Sequence, residues 1–410
     1  MKTNRDTLPT AEWGAVWALT LCVATLIASE FMPVSLLTPI AADLHVTDGR
    51  AGQAIAVSGL FALITSLGIS SATRGIDRRR VLLSLSALML VSGALTALAP
   101  NAILFMTGRA LIGVVIGGFW SMSAATVMRL VPEAEVPRAM GVLNGGNALA
   151  TTIAAPLGSF LGQYVGWRGA FFAVVPLAAG TLVWLYRTLP SMPAAPASAR
   201  GSVFRVLRRS QVAAGMLAVT VFFFGQFTLF TFLRPFLETV TGVNVSTLSL
   251  MLLVTGGAGL VGTWLIGFAL RGRLYSLLVA MPVLMAVIAG ALVVLGRAPL
   301  AVSMLLGAWG LIGTAAPVAW WTWVSKVVPD DAEAGGGLMV AVIQLAIALG
   351  ATAGGVAWDA SGHRGTFTLA AVALGVSALV AAMAAWQHQT AKRRTIQRTA
   401  PAEVDHARAA

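Results

Sequence analysis

The chain has 410 residues, of which 58% are hydrophobic and only 10% are charged, with a mean hydropathy of +0.85. A soluble domain averages about 25% charged residues, so this composition excludes an ordinary soluble enzyme. The net charge of +12 would suit nucleic acid. Its basic residues lie in short runs between apolar segments, however, which argues against a nucleic-acid partner.

Apolar stretches of about 20 residues, the length that crosses a bilayer as a helix, recur from end to end. They predict twelve transmembrane spans, with no cleavable signal peptide before the first. The predicted spans are 13–39, 49–72, 81–99, 103–128, 139–164, 168–186, 212–237, 246–270, 274–296, 299–325, 334–358 and 366–387.

The spans group into two six-helix bundles, 13–186 and 212–387. A Pro-, Ala- and Ser-rich linker at 187–211 joins them and ends in a short basic amphipathic stretch. Residues 1–12 precede the bundles and a basic tail, 388–410, follows them. The expected fold class is an all-α membrane protein with two pseudo-symmetric bundles.

The basic residues are distributed unequally between the two sides of the predicted membrane. Of the 27 Lys and Arg, 21 lie on the side of the linker and both termini, and four lie in the opposite loops. This positive-inside bias predicts a multi-pass protein of the bacterial inner membrane with both termini and the linker in the cytoplasm. The four basic residues of the outer loops are Arg50, Arg168, Arg297 and Arg364.

Short motifs repeat at about half the chain length. The shifts between the copies are 200, 197 and 196 residues, so the register stays close over three segments. Carried back to the first span, the 196 shift places Glu30 opposite Gln226. Spans two, five, eight and eleven are also rich in glycine, as expected of helices that pack closely between the halves. The repeated motifs are Leu111–Gly113 and Leu311–Gly313, Val131–Glu133 and Val328–Asp330, and Gly166–Phe171 and Gly362–Phe367.

One carboxylate of the fifteen, Glu30, falls well inside a span, and Arg109 is the matching cation inside span four. An ionised carboxylate in hydrocarbon costs about 2.5–3.5 kcal/mol on insertion scales, so such a residue faces a cavity or a partner. Two interpretations remain open. Glu30 carries a proton while Arg109 tunes its pKa, or the two form a permanent ion pair that fixes two helices.

Several kinds of chemistry lack the residues that they require. Cys22 is the sole cysteine, which excludes internal disulfides and thiolate metal sites, and no histidine lies in a predicted span. Gly-x-x-x-x-Gly-Lys-[Ser/Thr] is absent, so ATP does not drive the protein directly. No cofactor is expected beyond the proton gradient as energy source. A polytopic membrane enzyme is a remote alternative.

Two motifs carry a family resemblance. Arg109-Ala-Leu-Ile-Gly113 resembles the fourth-helix motif of the major facilitator superfamily. Ala155-Pro156-Leu157-Gly158, followed by Gly162 and Gly166-Trp167-Arg168, resembles the fifth-helix motif of its drug:proton antiporter branch. Within that branch the chain is similar to bacterial purine ribonucleoside efflux pumps. The shared stretches are Glu30–Pro39, Gly117–Ala124, Met128–Pro132 and Val340–Leu345.

The resemblance implies the major facilitator fold and a proton-coupled antiporter that exports purine ribonucleosides such as inosine and guanosine by alternating access. It places Glu30 and Arg109 in proton coupling and Pro156 in gating. A multidrug or sugar efflux antiporter of the same fold is the alternative. The loop at Arg74–Val81 is a shortened form of the superfamily's gating motif, in which Asp77 and Arg78 survive. In the fifth helix Ala155 replaces the usual glycine.

Polar and aromatic residues in the cavity-lining spans are the candidate ligand contacts. A purine would stack on an aromatic face while amides read its edge or the ribose hydroxyls. Tryptophans also belt membrane interfaces, which is the competing interpretation for each of them. Arg234, beside Pro235, is expected either to snorkel to the outer surface or to act in gating. The expected partners are the small-molecule substrate, protons and the bilayer, and the chain is expected to be a monomer. The candidate ligand contacts are Trp120, Asn144, Asn147, Gln226, Trp320, Trp321, Trp323 and Gln344.

Overall fold

A computed structural model describes residues 11–193, 207–270, 272–328 and 332–399. Within these ranges the regular structure is helical throughout, which confirms the expected fold class. Parts of the predicted N-terminus, linker and tail lie outside the described residues. The helices are α1 (Trp13–Asp43), α2 (Asp48–Ala72), α3 (Arg78–Ala97), α4 (Ala102–Leu130), α5 (Val136–Phe172), α6 (Val174–Thr188), α7 (Ser210–Phe230), α8 (Val245–Ala269), α9 (Leu274–Leu295), α10 (Pro299–Val327) and α11 (Ala332–Thr399).

Ten segments of the described chain are long and apolar enough to cross a membrane. Two of them are interrupted by a glycine in the left-handed region, Gly166 (φ 68°) and Gly362 (φ 63°), where a side chain would be strained. With these two breaks, the ten segments are compatible with the twelve predicted spans. After the Gly362 break, α11 continues past the predicted end of the twelfth span, residue 387, to Thr399 within the predicted basic tail.

The second half begins with a less regular first span. After α7 the chain continues as a short α-helical turn, Leu233–Phe236, and a π-helical turn, Leu237–Thr241. The span predicted at 212–237 therefore extends to Thr241, with Gly242 (φ 71°) as its left-handed cap. A π-turn adds one residue to a helical turn and often marks a functional position in a helix.

The bundle has two ends, which differ in how the halves meet. One end carries the α2–α3 loop (Thr73–Asp77) and the start of the linker, and we call it the linker end. The opposite end, which carries the α1–α2 loop (Leu44–Thr47) and the Gly362 break, is the far end. By the charge bias of the sequence, the linker end is expected to face the cytoplasm.

At the far end the two halves are in direct contact. The Asp359 carboxylate of α11 accepts hydrogen bonds from the Thr47 hydroxyl (2.7 Å) and the Gly49 backbone N–H (3.0 Å) of the first half. A Cβ built at Gly49 would lie 2.3 Å from that carboxylate and 2.6 Å from the Gly355 backbone carbonyl, so only glycine permits the approach. The Thr352 hydroxyl lies 3.1 Å from Gln53 Oε1 beside it.

At the linker end the same interface helices are apart. In the described part of the chain, the hydrogen bonds that join the two halves lie between the far end and the middle of the bundle. Near the linker end, glycines of α2, α5, α8 and α11 have no atom within 4 Å of the place where a side chain would begin. The halves are therefore closed at the far end and open at the linker end. These open glycines are Gly68, Gly141, Gly145, Gly267 and Gly337.

Candidate functional site

Glu30 lies in the middle of α1, where contact between the halves ends. Glu30 is only 4% exposed, and its carboxyl faces the Gln344 side chain of α11 in the other half. The next residue, Phe31, stacks on Phe227 with ring centroids 6.0 Å apart and meets Phe230 edge-on at 6.2 Å. This carboxyl therefore lies at the boundary between the closed and the open part of the interface.

Two prolines shape α1 around this position. Proline has no N–H, so the carbonyl four residues earlier loses its helical hydrogen bond. Pro33 releases the Ser29 carbonyl in this way, and Pro39 releases the Ser35 carbonyl. Each released carbonyl lies in a buried stretch and must find another donor.

Arg109 of α4 supplies the first donor. It is 1% exposed, and its guanidinium donates to the Ser29 carbonyl at 2.8 Å and to the Glu30 backbone carbonyl at 3.0 Å. It also donates to the Ala54 carbonyl at 3.3 Å and lies 3.4 Å from the Ser58 hydroxyl. One planar group with five donors thus joins α1, α2 and α4.

The permanent ion pair considered for Glu30 and Arg109 is wrong for this structure. No ion pair within 4 Å joins their side chains in the described chain, because the guanidinium is engaged by carbonyl and hydroxyl oxygens. Arg109 remains a buried positive charge close to the Glu30 carboxyl but does not form an ion pair with it. The carboxyl is left free to interact with the other half.

The second half supplies neutral amides opposite this carboxyl. Gln344 is buried, and Gln226 of α7 is half-buried and donates to the Gly313 carbonyl of α10 at 3.4 Å. Pro317 releases that carbonyl from its own helix, by the same i−4 rule as in α1. The side-chain oxygens of both glutamines are buried and have no hydrogen-bond partner in the described chain. A buried acceptor without a partner is costly unless water or a ligand reaches it.

Helix α5 presents two opposite faces. Its exposed apolar side chains recur at helical spacing along one face, which suits contact with lipid. Asn144, Asn147 and Thr151 recur three and four residues apart on another face, which reaches Ala155 in the core cluster of the second half. Asn147 is half-buried on this face, whereas Asn144 is exposed and its amide N–H donates to the Met140 carbonyl at 2.9 Å. The apolar face consists of Leu149, Ile153, Leu157, Phe160 and Tyr164.

The predicted tryptophans occupy different environments. Trp320 is 2% exposed and meets Trp323 edge-on at 5.9 Å, so it lies in the core of the second half and does not line an open cavity. Trp323 is also buried, against Gly215 of α7, which excludes a position in an interfacial belt. Trp120 is half-buried beside Phe119. The spacing of a tryptophan within a span does not reveal which way the helix turns it.

Arg234 takes the second carbonyl that a proline releases in α1. It does not snorkel to the outer surface, because it is only 6% exposed. Its guanidinium donates to the Ser35 carbonyl across the half-to-half boundary and to Glu238 at 2.8 Å. Arg234 therefore joins the halves at the far end. Glu238, which the sequence did not single out, is its charge partner.

Asp77 and Arg78 lie at the linker end, within the first half. The Asp77 carboxylate accepts hydrogen bonds from the Arg79 N–H (2.8 Å), the Met192 N–H (3.0 Å) and the Ser191 hydroxyl. These bonds, led by that from Ser191, hold the pKa of the Asp77 carboxyl below its usual value. The Arg78 backbone N–H donates to the Met192 carbonyl at 3.0 Å. Both residues thus attach the start of the linker to α3.

Pro156 lies buried inside α5, one turn beyond Thr152, whose carbonyl it releases. A Cβ built at Gly256 of α8 would lie 2.5 Å from that carbonyl oxygen, and the Thr152 hydroxyl lies 3.2 Å from the Gly256 carbonyl. Pro156 thus shapes the contact of α5 with the second half. In the described chain no group of three or more His, Cys, Asp or Glu is placed to hold a metal ion.

Comparison with known proteins places this arrangement in context. The family model described as Major Facilitator Superfamily matches residues 19–351. Among solved structures, a bacterial homolog of the human lysosomal transporter Spinster matches with a TM-score of 0.76 at 16% identity, covering 94% of this chain and 98% of that one. A D-xylose-proton symporter matches with a TM-score of 0.69 at 18% identity, covering 90% and 95%. At these identities the structures show the fold alone.

Two curated relatives are more similar in sequence. "Transcription regulatory protein OpdE" of Pseudomonas aeruginosa is 56% identical over 386 residues, covering 93% of this chain and 96% of the relative. "Purine ribonucleoside efflux pump NepI" of Escherichia coli K12 is 40% identical over 375 residues, covering 92% and 95%.

Proposed function

The chain belongs to the Major Facilitator Superfamily, and we propose that it is a proton-coupled antiporter that exports purine ribonucleosides such as inosine and guanosine. It is a multi-pass membrane transporter and not an enzyme. The observation that carries the proposal is the Glu30 carboxyl, buried where the halves separate and facing Gln344 of the other half.

Glu30 suits proton coupling because the free energy of ionising its carboxyl depends on whether the interface between the halves is open or closed. When the halves are open at the linker end, water can reach this boundary and support the ionised form. When they close there, an ionised carboxylate would be buried without a bonded cation, since Arg109 is engaged by carbonyls. Closure is therefore favoured with the protonated acid or with a ligand bound.

The cargo proposal rests on neutral hydrogen-bonding groups and on the relative named a purine ribonucleoside efflux pump. The free side-chain oxygens of Gln226 and Gln344 can accept bonds from purine N–H groups or ribose hydroxyls. The Asn144 and Asn147 face of α5 adds amides from the other half, and Phe31 and its ring partners supply an aromatic surface. Multidrug or sugar export by the same mechanism is the alternative.

Transport in everted vesicles tests coupling and cargo together. With an acidic interior, we expect accumulation of labelled inosine that collapses when an ionophore dissipates the pH gradient. Unlabelled guanosine should compete, and cationic dyes should not. Dye accumulation without inosine accumulation would overturn the cargo. Inosine accumulation that ignores the pH gradient would overturn proton coupling.

The orientation proposed is that of the charge bias, with both termini and the linker in the cytoplasm of a bacterial inner-membrane monomer. In a Cys22→Ala background, an impermeant maleimide added to intact spheroplasts should label Ser361→Cys at the far end and not Ser210→Cys at the linker end. Both positions are exposed, so access to them depends on the side of the membrane. The reverse labelling would invert the topology.

The regulatory name of the 56% identical relative suggests a second effect of the same activity. An exporter lowers the internal concentration of its cargo, and a transcription factor that senses that cargo would respond. If so, Glu30→Gln should abolish any transcriptional effect of the protein together with transport. A transcriptional effect that survives in this variant would show a separate regulatory activity.

A further inference from the structure

A cavity of about 470 Å³ opens at the far end of the second half, away from the interface between the halves. Its polar lining includes Thr239, after α7, and Arg297, between α9 and α10. His363 and Arg364, beside the Gly362 break, complete it. Two of the four basic residues of the far-end loops thus converge on one cavity.

The first half contains the counterpart of this place, and there the charges are neutralised. Arg168 forms an ion pair with Asp43, donates to the Ala99 carbonyl at 2.8 Å and lies 4.2 Å from the centroid of the Trp167 ring. The Trp167 indole N–H also donates to Asp43, at 3.3 Å. This clamp fastens the end of α1 to the start of the sixth span.

The repeat relates the two places residue by residue. The shift of 196 that equates the Gly166 and Gly362 breaks pairs Arg168 with Arg364 and Asp43 with Thr239. It also pairs Pro39 with Pro235, which supports the register in this part of the first span of each half. The second half therefore keeps the arginine of the clamp but has a threonine in place of its acid.

The loss of the acid leaves the cations of the cavity without a counter-charge. In the described chain, no carboxylate lies within 4 Å of the guanidinium of Arg297 or Arg364. The Thr239 hydroxyl donates to the Pro235 carbonyl at 2.6 Å and adds no charge. Two guanidinium groups that line one cavity repel each other, and an anion bound between them would attract both and offset that repulsion.

We propose that this cavity binds the phosphate headgroup of an anionic phospholipid from the leaflet at the far end. Arginine fits phosphate oxygens with two parallel hydrogen bonds, and two arginines can hold one phosphate. The remaining wall is apolar, formed by Val240, Val293 and Val294. Val294 is 81% exposed, which offers the acyl chains a surface next to the headgroup and favours a lipid over a free anion.

Native mass spectrometry of the whole transporter, released from detergent with phosphatidylglycerol or phosphatidylcholine, tests the site. Wild type should retain phosphatidylglycerol more strongly than phosphatidylcholine. Arg364→Gln and Arg297→Gln should each weaken its retention about fivefold, the effect of one basic side chain near an anionic lipid. Arg50→Gln, a far-end arginine outside the cavity, is the matched control and should bind like wild type.

Thr239→Asp provides a variant that restores the acid of the first-half clamp. The new carboxylate should pair with Arg364 and weaken phosphatidylglycerol retention at least as much as Arg364→Gln, while thermal stability is kept or raised. If Arg364→Gln and Thr239→Asp both retained phosphatidylglycerol as strongly as wild type, the proposal would be overturned. Displacement of the lipid by millimolar inorganic phosphate would assign the cavity to a free anion and overturn the lipid as its ligand.

Discussion

The two halves of the molecule share one plan but differ in charge at corresponding positions. Under the 196-residue shift, four acids of the first half meet uncharged or basic residues in the second. The buried cation Arg109 likewise corresponds, under the 200-residue shift, to Trp309, which is 2% exposed. The four pairs are Glu30 and Gln226, Asp43 and Thr239, Asp48 and Asn244, and Asp77 and Arg273.

This difference in charge gives two bundles of the same plan different chemical groups at corresponding positions. A buried carboxyl in a membrane span is expensive, so a repeat that keeps Glu30 in one half alone concentrates there the group that can exchange a proton. The second half has Gln226 at the position equivalent to Glu30, and a neutral amide can recognise a neutral ligand without a charge partner. We infer that coupling resides in the first half and ligand selection depends more on the second.

The largest effect is expected from making the halves alike at the coupling position. Glu30→Gln copies Gln226 into the first half and removes the one carboxyl deep in the spans. We expect complete loss of pH-driven inosine accumulation, with downhill exchange of inosine retained, because the amide keeps the shape but cannot release a proton. Glu238→Gln, which removes an acid near the far end of its span, is the control and should keep its response to the pH gradient. Wild-type pumping by Glu30→Gln would place the carrier elsewhere.

Removal of the buried cation should mainly lower stability. Arg109→Met leaves the Ser29 carbonyl, already released by Pro33, without its donor. Since a hydrogen bond to a charged group contributes about 1.5–3 kcal/mol, the loss should be about 3 kcal/mol or more. Thermal unfolding in detergent measures it. Arg109→Lys should recover only part, because one ammonium cannot reach three helices, and Trp309→Phe should cost less. Equal melting temperatures for Arg109→Met and wild type would contradict this role.

The far-end contact of Arg234 should show as a change in access between the halves. Arg234→Gln loses the charged bond to Ser35, worth about 1.5 kcal/mol, so opening at the far end should rise roughly tenfold. Pro39→Ala should act in the same direction, since the restored N–H competes for the Ser35 carbonyl. Labelling of an Ala56→Cys probe, buried among second-half residues, reports the opening in a Cys22→Ala background.

Arg168→Gln is the control for that experiment, because it breaks a far-end contact within one half. It should leave the labelling rate of Ala56→Cys unchanged. If Arg234→Gln labelled no faster than this control, the contact with Ser35 would not hold the halves together.

The smallest effect is expected at the start of α3 and its counterpart α9. Asp77 caps α3 through the Arg79 N–H, whereas Arg273 at the start of α9 makes no side-chain cap. Asp77→Asn should cost less than about 1 kcal/mol at pH 7, and Arg273→Asp should gain a similar amount.

The pH dependence of this effect follows from the lowered pKa of Asp77. A carboxyl whose pKa is lower in the folded state stabilises the fold above its unfolded value and loses that contribution as pH falls through the folded pKa. The difference in melting temperature between wild type and Asp77→Asn should therefore shrink below pH 4. A difference that grew on acidification would contradict the hydrogen bonds assigned to Asp77.

Much of the organisation could be predicted from the sequence, because hydrophobic length and charge bias are read one residue at a time. The spans, the repeat and the burial of Glu30 and Arg109 could be predicted without knowing which residues they contact. Most predicted span ends lie within a few residues of the helix ends. Two span ends differ more: a π-turn prolongs the seventh span past Leu237, and the helix of the twelfth span continues from residue 387 to Thr399.

Only the tertiary structure decided what the buried polar groups contact. The sequence shows that Pro33, Pro39 and Pro317 each release a backbone carbonyl. It does not show that Arg109, Arg234 and Gln226 donate hydrogen bonds to those carbonyls. The direction of a side chain around a helix depends on crossing angles set by packing over the whole bundle. For that reason only the structure shows that Trp320 is buried in the core and that Arg234 joins the halves. Likewise, the unpaired charge of the cavity at Thr239 is recognised by comparison with the Arg168–Asp43 ion pair of the first half.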